Sequence, residues 1–242
     1  MPFYNLLDPV MKNKYLKGAH LSERKFKEIL KLFSEDLTAT QIASISGVSR
    51  VTVNSYLKKI RLQIVRFCEA EMSVVALPSK PVAARQGVLQ QGEADHAGLG
   101  KEMDRTVKPV IFGIYRSGSK VYTEILPDIS RSMVQAVVRG RSILETIGTA
   151  DRIRKFSGVV DLGQYRLYHL NHHQTDSQQR SITEDVDGFW ALTKHRLAKF
   201  KGLNRNTAYL HLKECEFRYN NRTQDIYVVL LELLKNFPLN LS

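Results

Sequence analysis

Two oppositely charged side chains, Asp187 and Lys194, are seven residues apart in the stretch from Glu184 to Phe200. An α-helix has about 3.6 residues per turn, so in a helix both side chains would project from one face. A carboxylate can hold a divalent metal ion, and a nearby ammonium can hold a phosphate. The pair is therefore suited to metal-dependent chemistry at a phosphate.

The residues around this pair predict the helix that would present it. Acidic residues begin the stretch and basic residues end it, which is the order that the helix dipole favours, and apolar residues are mixed between them. The same order would stabilise an ordinary surface helix, in which Asp187 is a solvated charge and Lys194 a cation of the last turn. Trp190 is expected to pack in the core.

The motif Asp187-Gly-Phe-Trp190, followed by Lys194-His-Arg-Leu-Ala-Lys-Phe-Lys-Gly-Leu203 and by residues 209–221, resembles the end of the catalytic domain of bacterial insertion-sequence transposases. The resemblance is to the ISXO-like branch of the DDE superfamily and runs over roughly residues 88 to 222. In that branch an acid stands two residues before the Phe-Trp pair, and a Lys or Arg follows it by seven. Asp187 and Lys194 match these positions.

The resemblance implies a catalytic site of three separated carboxylates that bind Mg2+ or Mn2+. Asp95 ends a weak predicted strand, Asp151 follows a later predicted strand, and Asp187 lies on the helix. Converging carboxylates can hold two metal ions about 4 Å apart, and Mg2+ keeps several waters, so few protein ligands suffice. Neighbouring acids could replace members of this set: Glu93, Asp161 and Glu184.

The sequence also departs from the family pattern. Asp95 is followed by His-Ala-Gly-Leu-Gly, without the usual acid, aromatic and paired glycines, and the third acid is Asp187 where the family has Glu. A catalytic group that is slightly misplaced can lower a rate about a hundredfold. The alternative function is thus a catalytically inactive, transposase-derived DNA-binding protein or repressor. Structural roles, and not metal binding, are expected for three histidines: His169, His172 and His173.

Three amphipathic helices are predicted in the N-terminal part. An apolar periodicity after Ser22 predicts the first, a capping box over residues 38–41 begins the second, and Gly47 ends it. Ser49 would cap a third helix over residues 50–67. The segment resembles the helix-turn-helix DNA-binding heads of many transposases and repressors, and it predicts a three-helix bundle.

The exposed start of the third helix would face the major groove of DNA. Residues 1–66 contain 12 bases and five acids, a net +7 of the chain's +12 (36 bases minus 24 acids). Such an excess favours polyanions, although a packed bundle with solvated Lys and Arg is the alternative. The side chains predicted to contact DNA are Arg50, Thr52, Asn54, Ser55 and Lys58, with Lys194 in the catalytic part.

Composition changes between the two parts. Pro78, Pro81 and Gly87 interrupt helical periodicity. The predicted organisation is a helix-turn-helix domain over residues 1–72, a linker over 73–87, and a ribonuclease-H-like transposase domain over 88–242. The fold class is α+β, a three-helix bundle followed by a mixed α/β domain with C-terminal helices.

Charge and hydropathy limit the location of the protein. No apolar run approaches the roughly 20 residues that cross a bilayer, and the start lacks a secretory signal, so we expect a cytoplasmic, nucleoid-associated bacterial protein without a membrane partner. Cys68 and Cys215 are expected to be reduced and partly buried.

The resemblance implies a metal-dependent DNA transposase, and the charge, the predicted bundle and the three separated acids agree with it. Its partners would be double-stranded DNA, both the terminal inverted repeats of the element and the target. A homodimer or a higher assembly is expected because two element ends must be joined. A basic structural protein without a DNA role is a further alternative.

Overall fold

The computed structural model describes residues 14–17, 21–75, 110–127, 129–139, 153–170, 176–199 and 205–240. The described residues form two compact units. The first contains those up to Gln63 together with those from Asn221 onward, and the second runs from Ile64 to Asn220.

The described ranges contain both helices and short strands. The helices are α1 Glu23–Ser34, α2 Ala39–Ser46, α3 Arg50–Val75, α4 Arg131–Val138, α5 Asp176–Leu197, α6 Arg205–Asn220 and α7 Ile226–Asn236. The strands are β1 Leu16–Lys17, β2 Ile111–Ser117, β3 Lys120–Ile125, β4 Gly158–Asp161, β5 Arg166–His169 and β6 Leu239–Asn240. The α+β class is confirmed at this level.

Local sequence signals begin the first three helices where they were predicted, whereas α3 continues to Val75, beyond its predicted end at residue 67. The Ser22 hydroxyl accepts from the backbone of α1, and Thr38 and Gln41 form the capping box of α2. Gly47 ends α2 with φ of 68°, a left-handed conformation that glycine adopts without steric cost. The Ser49 hydroxyl accepts from the Thr52 N–H, which caps the start of α3.

The last helix and strand of the chain belong to the first unit. Helix α7 packs against α1, and β6 pairs in parallel with β1 through Leu16 and Leu239. The Lys59 ammonium donates to the Asn240 carbonyl at 2.7 Å. This unit differs from the predicted division, which placed residues 88–242 in one domain. The predicted linker, 73–87, begins inside α3 and otherwise lies outside the described residues.

The second unit is built on an antiparallel four-stranded sheet in the order β3-β2-β4-β5. Both faces are covered, so alternate residues of a strand enter different cores. Phe112 and Ile114 of β2 pack with α5 and α6, whereas Ile111 packs with Val134 of α4 and Phe156. Each helix layer therefore depends on one face of β2.

Gly113 of β2 allows the Phe156 ring to lie close to the strand on the α4 side of the sheet. A Cβ atom placed there would stand 2.5 Å from the Phe156 ring. The aromatic ring thus lies directly on the backbone of β2, where only a glycine fits without a shift of the ring.

Helix α6 is buried along most of its length, including its charged residues. It packs against β3 and α5. Lys213 and Glu216 are joined at 2.8 Å, and Glu216 also accepts from the N–H and hydroxyl of Thr123. On another side Glu214 accepts from Arg196 and Arg218. Each of these buried charges therefore has an oppositely charged partner within the helix or on α5.

Several predictions fall outside the described residues, among them the strands before Asp95 and Asp151. The ribonuclease-H-like and helix-turn-helix arrangements stay predictions. Within the described ranges, no helix is both long enough and apolar enough to cross a membrane.

Candidate functional site

Asp187 lies on the exposed side of α5, next to His169 at the end of β5. Its carboxylate Oδ1 is 3.1 Å from His169 Nε2, and the two side chains are 54% and 39% exposed. The motif residues that follow face inward: Phe189 is fully buried and Trp190 is 8% exposed. Helical periodicity thus buries the aromatic pair and presents the acid to solvent, and the predicted core position of Trp190 is confirmed.

The turn of α5 before Asp187 is fixed to the sheet and to α6. Asp185 Oδ2 pairs with Arg116 Nε of β2 at 2.6 Å. The Tyr219 hydroxyl donates to the Asp185 carbonyl at 3.1 Å. Val186 is fully buried in the core between α5 and the sheet. Asp187 is therefore an exposed carboxylate on a firmly held backbone.

The neighbouring acids that could replace Asp187 or Asp151 have different surroundings. Asp161 is 2% exposed at the end of β4, where it pairs with Arg131 Nε and accepts from the Gly163 N–H. The hydrogen bond that Arg131 donates to Asp161 raises the pKa of the Arg131 guanidinium. Glu184 is exposed one turn before Asp187. Of the two, Glu184 is accessible to a ligand, and Asp161 is occupied by its partners.

The other predicted acids lie outside the described residues. These are Asp95, Asp151 and the alternative Glu93. Within the described ranges, no group of three or more His, Cys, Asp or Glu side chains is placed to hold a metal ion. The structure thus describes one of the three predicted ligands, and their convergence stays a prediction.

Lys194 and the predicted histidines complete the neighbourhood of α5. Lys194 is exposed in the last turn of α5, where a cation also suits the helix dipole. His172 and His173 lie outside the described residues. His169, for which we expected a structural role, has its imidazole next to Asp187, and its role stays a prediction.

Sequence reasoning missed the contacts that hold Asp187. His169 and Asp187 are 18 residues apart and belong to different elements. Their meeting depends on how β5 pairs with β4 and on how closely α5 packs on the sheet. A polar residue at the end of a strand was the available signal, but it did not identify the partner.

The predicted DNA-contacting residues lie along one side of the first turns of α3. Four are exposed, and Thr52 is partly buried with its hydroxyl 2.8 Å from that of Ser49. Val53 and Leu57 are buried on the opposite side. The exposed four are Arg50, Asn54, Ser55 and Lys58. This side of α3 is thus a polar, basic surface, and its binding to DNA stays a prediction.

The sequence is similar to a protein that bears a transposase-like name. A curated relative from Haemophilus influenzae, described as an "Uncharacterized transposase-like protein", is 27% identical over 115 residues, which are 48% of this chain and 93% of that protein. No family model and no solved structure matches the chain. The similarity supports a transposase-related family for this chain, without distinguishing the ISXO-like branch.

Proposed function

We propose that this chain is a DDE-type DNA transposase that binds the ends of an insertion sequence and catalyses metal-dependent strand cleavage and transfer. The observation that carries the proposal is the motif helix α5, which buries Phe189 and Trp190 while it presents the Asp187 carboxylate to solvent. The transposase-like relative agrees with this assignment.

The first unit would bind the element ends as a helix-turn-helix. In support, the turn residues Gly47 and Ser49 have the conformation and hydrogen bond that a tight turn between α2 and α3 requires. The exposed residues of α3 beyond that turn can donate to phosphates and base edges. The net charge of +7 in residues 1–66 favours a polyanion.

The second unit would contain the reaction site. Asp187 offers hard carboxylate oxygens that suit Mg2+ or Mn2+, and Asp95 and Asp151 would complete the ligand set. Such an ion, when bound, supplies positive charge at the phosphate under attack. Lys194 on the same helix would hold a neighbouring phosphate of the strand. Water would attack one phosphodiester and break its P–O3' bond, which leaves a 5' phosphate and a free 3' hydroxyl. This hydroxyl would then attack a phosphodiester of the target strand and displace the target's own 3' oxygen as a new hydroxyl.

A second candidate function is a transposase-derived protein that binds DNA but no longer cleaves it. The shorter side chain of Asp187, where the resembling family has Glu, favours this candidate. Binding by the first unit would then suffice for a repressor, and the residues of α3 would have the same role in both candidates.

The proposed binding and cleavage activities can both be measured on one labelled duplex that carries the flanking repeats of the element. We expect cleavage with Mg2+ or Mn2+ that Asp187→Asn reduces at least about a hundredfold, because the amide lacks the negative charge that would hold the metal ion. Glu232→Gln changes an exposed acid of α7 and is the control that should retain activity, whereas Asp151→Ala should lose it. Duplex binding by all three variants should remain at the parent level.

Binding is measured on the same duplex as salt is raised. The double variant Arg50→Ala, Lys58→Ala should lower the slope of log affinity against log salt by about 0.9 for each lost phosphate contact. Lys235→Ala, an exposed lysine of α7, is its control. Tight, salt-sensitive binding without cleavage by the parent would favour the inactive candidate. Weak binding that does not change with salt concentration would contradict both candidate functions.

A further inference from the structure

His169 is the side chain whose imidazole the structure places within ion-pairing distance of Asp187. Its Nε2 atom is 3.1 Å from Asp187 Oδ1, whereas Asp185 directs its carboxylate to Arg116. An imidazole N–H donated to one carboxylate oxygen restricts rotation of the carboxylate and leaves the second oxygen for another ligand. The contact thus selects one orientation of an otherwise exposed acid.

The packing of α5 on the sheet explains why the two residues meet. His169 is paired with Gly158 across β4 and β5. A Cβ atom at Gly158 would stand 3.0 Å from Val186 Cγ1, so the absent side chain allows α5 to approach β4 closely. Val186 precedes Asp187 in α5. The glycine that faces His169 in the sheet thus admits the helix that carries Asp187.

The backbone on both sides of the contact is fixed independently of the pair. On β5, Tyr168 is buried in the core on the α4 side. On α5, the Asp185 carbonyl accepts from Tyr219, and Val186 and Phe189 are buried. Loss of the imidazole would therefore leave the fold in place while it frees the Asp187 side chain.

We propose that His169 is a positioning residue, which orients the Asp187 carboxylate for metal binding. The proposal rests on the proposed function, because it assigns Asp187 to the metal site. An exposed pair of this kind adds little to stability. Hydrogen bonds to ligating groups do affect metal sites, however, and their removal typically weakens metal affinity or activity about 10–100-fold.

The test measures Mn2+ binding to the full chain by the electron paramagnetic resonance signal of the free ion, together with the Mn2+ dependence of duplex cleavage. We expect His169→Ala to weaken Mn2+ binding about 10–100-fold. His169→Gln retains an N–H donor on a side chain of similar reach and should restore binding to within a few-fold of the parent. His195 is an exposed histidine of α5, the helix that carries Asp187, and His195→Ala should change neither measurement.

The thermal unfolding midpoints of the four proteins should agree, because His169 and Asp187 are both substantially exposed. Parent-like Mn2+ binding by His169→Ala, or binding by His169→Gln as weak as by His169→Ala, would overturn the positioning role. The variant Asp187→Asn separates a failure of the proposed metal site from a failure of the role assigned to His169. If the parent binds no Mn2+, or if Asp187→Asn binds it as tightly as the parent, the metal site itself is wrong and the role of His169 falls with it.

Discussion

At the scale of single residues, the thiols of the second unit respond to burial. Cys68 and Cys215 are unpaired and buried, as the sequence predicted. Burial raises the pKa of Cys215 from 9.0 to about 11, and it raises the pKa of Cys68 well above its usual value. The folded protein therefore disfavours both thiolates, which makes these residues unreactive while the unit is folded.

This shift predicts a loss of stability in alkali. Below pH 9 the Cys215 thiol is protonated in both states, so it makes no pH-dependent contribution. Between pH 9 and its folded pKa of about 11 the unfolded chain loses the proton first, so the Cys215 thiol alone should lower the free energy of unfolding by about 3 kcal/mol. Urea unfolding at several pH values would measure this decline.

Cys215→Ala is the control for other groups that titrate in alkali. Because it lacks the thiol, its free energy of unfolding should decline less steeply with pH than that of the parent. Parallel declines for the two proteins would show that the Cys215 thiol does not govern the alkaline loss.

Residue-level predictions succeeded where the signal is local. The caps at Ser22 and Thr38 and the left-handed Gly47 depend on neighbours within three or four residues, which the sequence shows directly. The contact between His169 and Asp187 depends on the register of two strands and on the space above Gly158. A single sequence contains no comparable signal for such a contact.

At the scale of elements, α6 shows why a charge pattern alone can mislead. Its alternating acids and bases are typical of a solvated helix, yet Lys213, Glu214 and Glu216 are buried. Pairing makes this burial tolerable, since the charges face one another and the backbone of β3. Strand β4 was not predicted from the sequence. It has only four residues, all of them buried, and polar and apolar residues do not alternate along it.

The buried pair of α6 gives a prediction about stability. Glu216→Leu removes the partner of Lys213 and the acceptor of both Thr123 donors, so it should lower the free energy of unfolding by about 3–5 kcal/mol. Lys213→Met should cost less, because Glu216 keeps its Thr123 donors. Urea unfolding of each variant measures the difference.

The matched control has the same spacing on the partly exposed side of α1. Lys25 and Glu28 are also three residues apart and 2.7 Å from each other, with side chains 37% and 38% exposed. Glu28→Leu should change stability by less than about 1 kcal/mol. An equal loss for Glu28→Leu and Glu216→Leu would refute the role assigned to burial.

At the scale of the whole molecule, the C-terminal helix and strand pack with the N-terminal elements of the chain. Helix α7 and β6 follow the second unit in sequence but pack with α1 and β1. The sequence predicted C-terminal helices, but the predicted division placed them in the domain over residues 88–242. Periodicity reports which face of α7 is apolar, but it does not report which partner covers that face.

This arrangement predicts that the N-terminal helices depend on the C-terminal segment. Leu230, Leu233, Leu234 and Leu239 are buried in the first unit. Burial of one such side chain contributes about 1.5–3 kcal/mol, so four contribute about 6–12 kcal/mol. A domain is typically stable by about 5–15 kcal/mol. A chain that ends at Asn220 should therefore have an unfolded first unit, although it keeps every residue predicted to contact DNA.

Circular dichroism and duplex binding would measure this dependence. We expect the shortened chain to lose the helical signal of α1 and α2 and to bind the duplex at least about tenfold more weakly, because ordering α3 for binding would then cost the free energy of folding the unit. Val228→Ser in the full chain alters an exposed residue of α7, and it should preserve both signals. If the shortened chain instead unfolds at the same urea concentration and binds with the same affinity, α1 to α3 form an independent domain, and α7 covers them without supporting their fold.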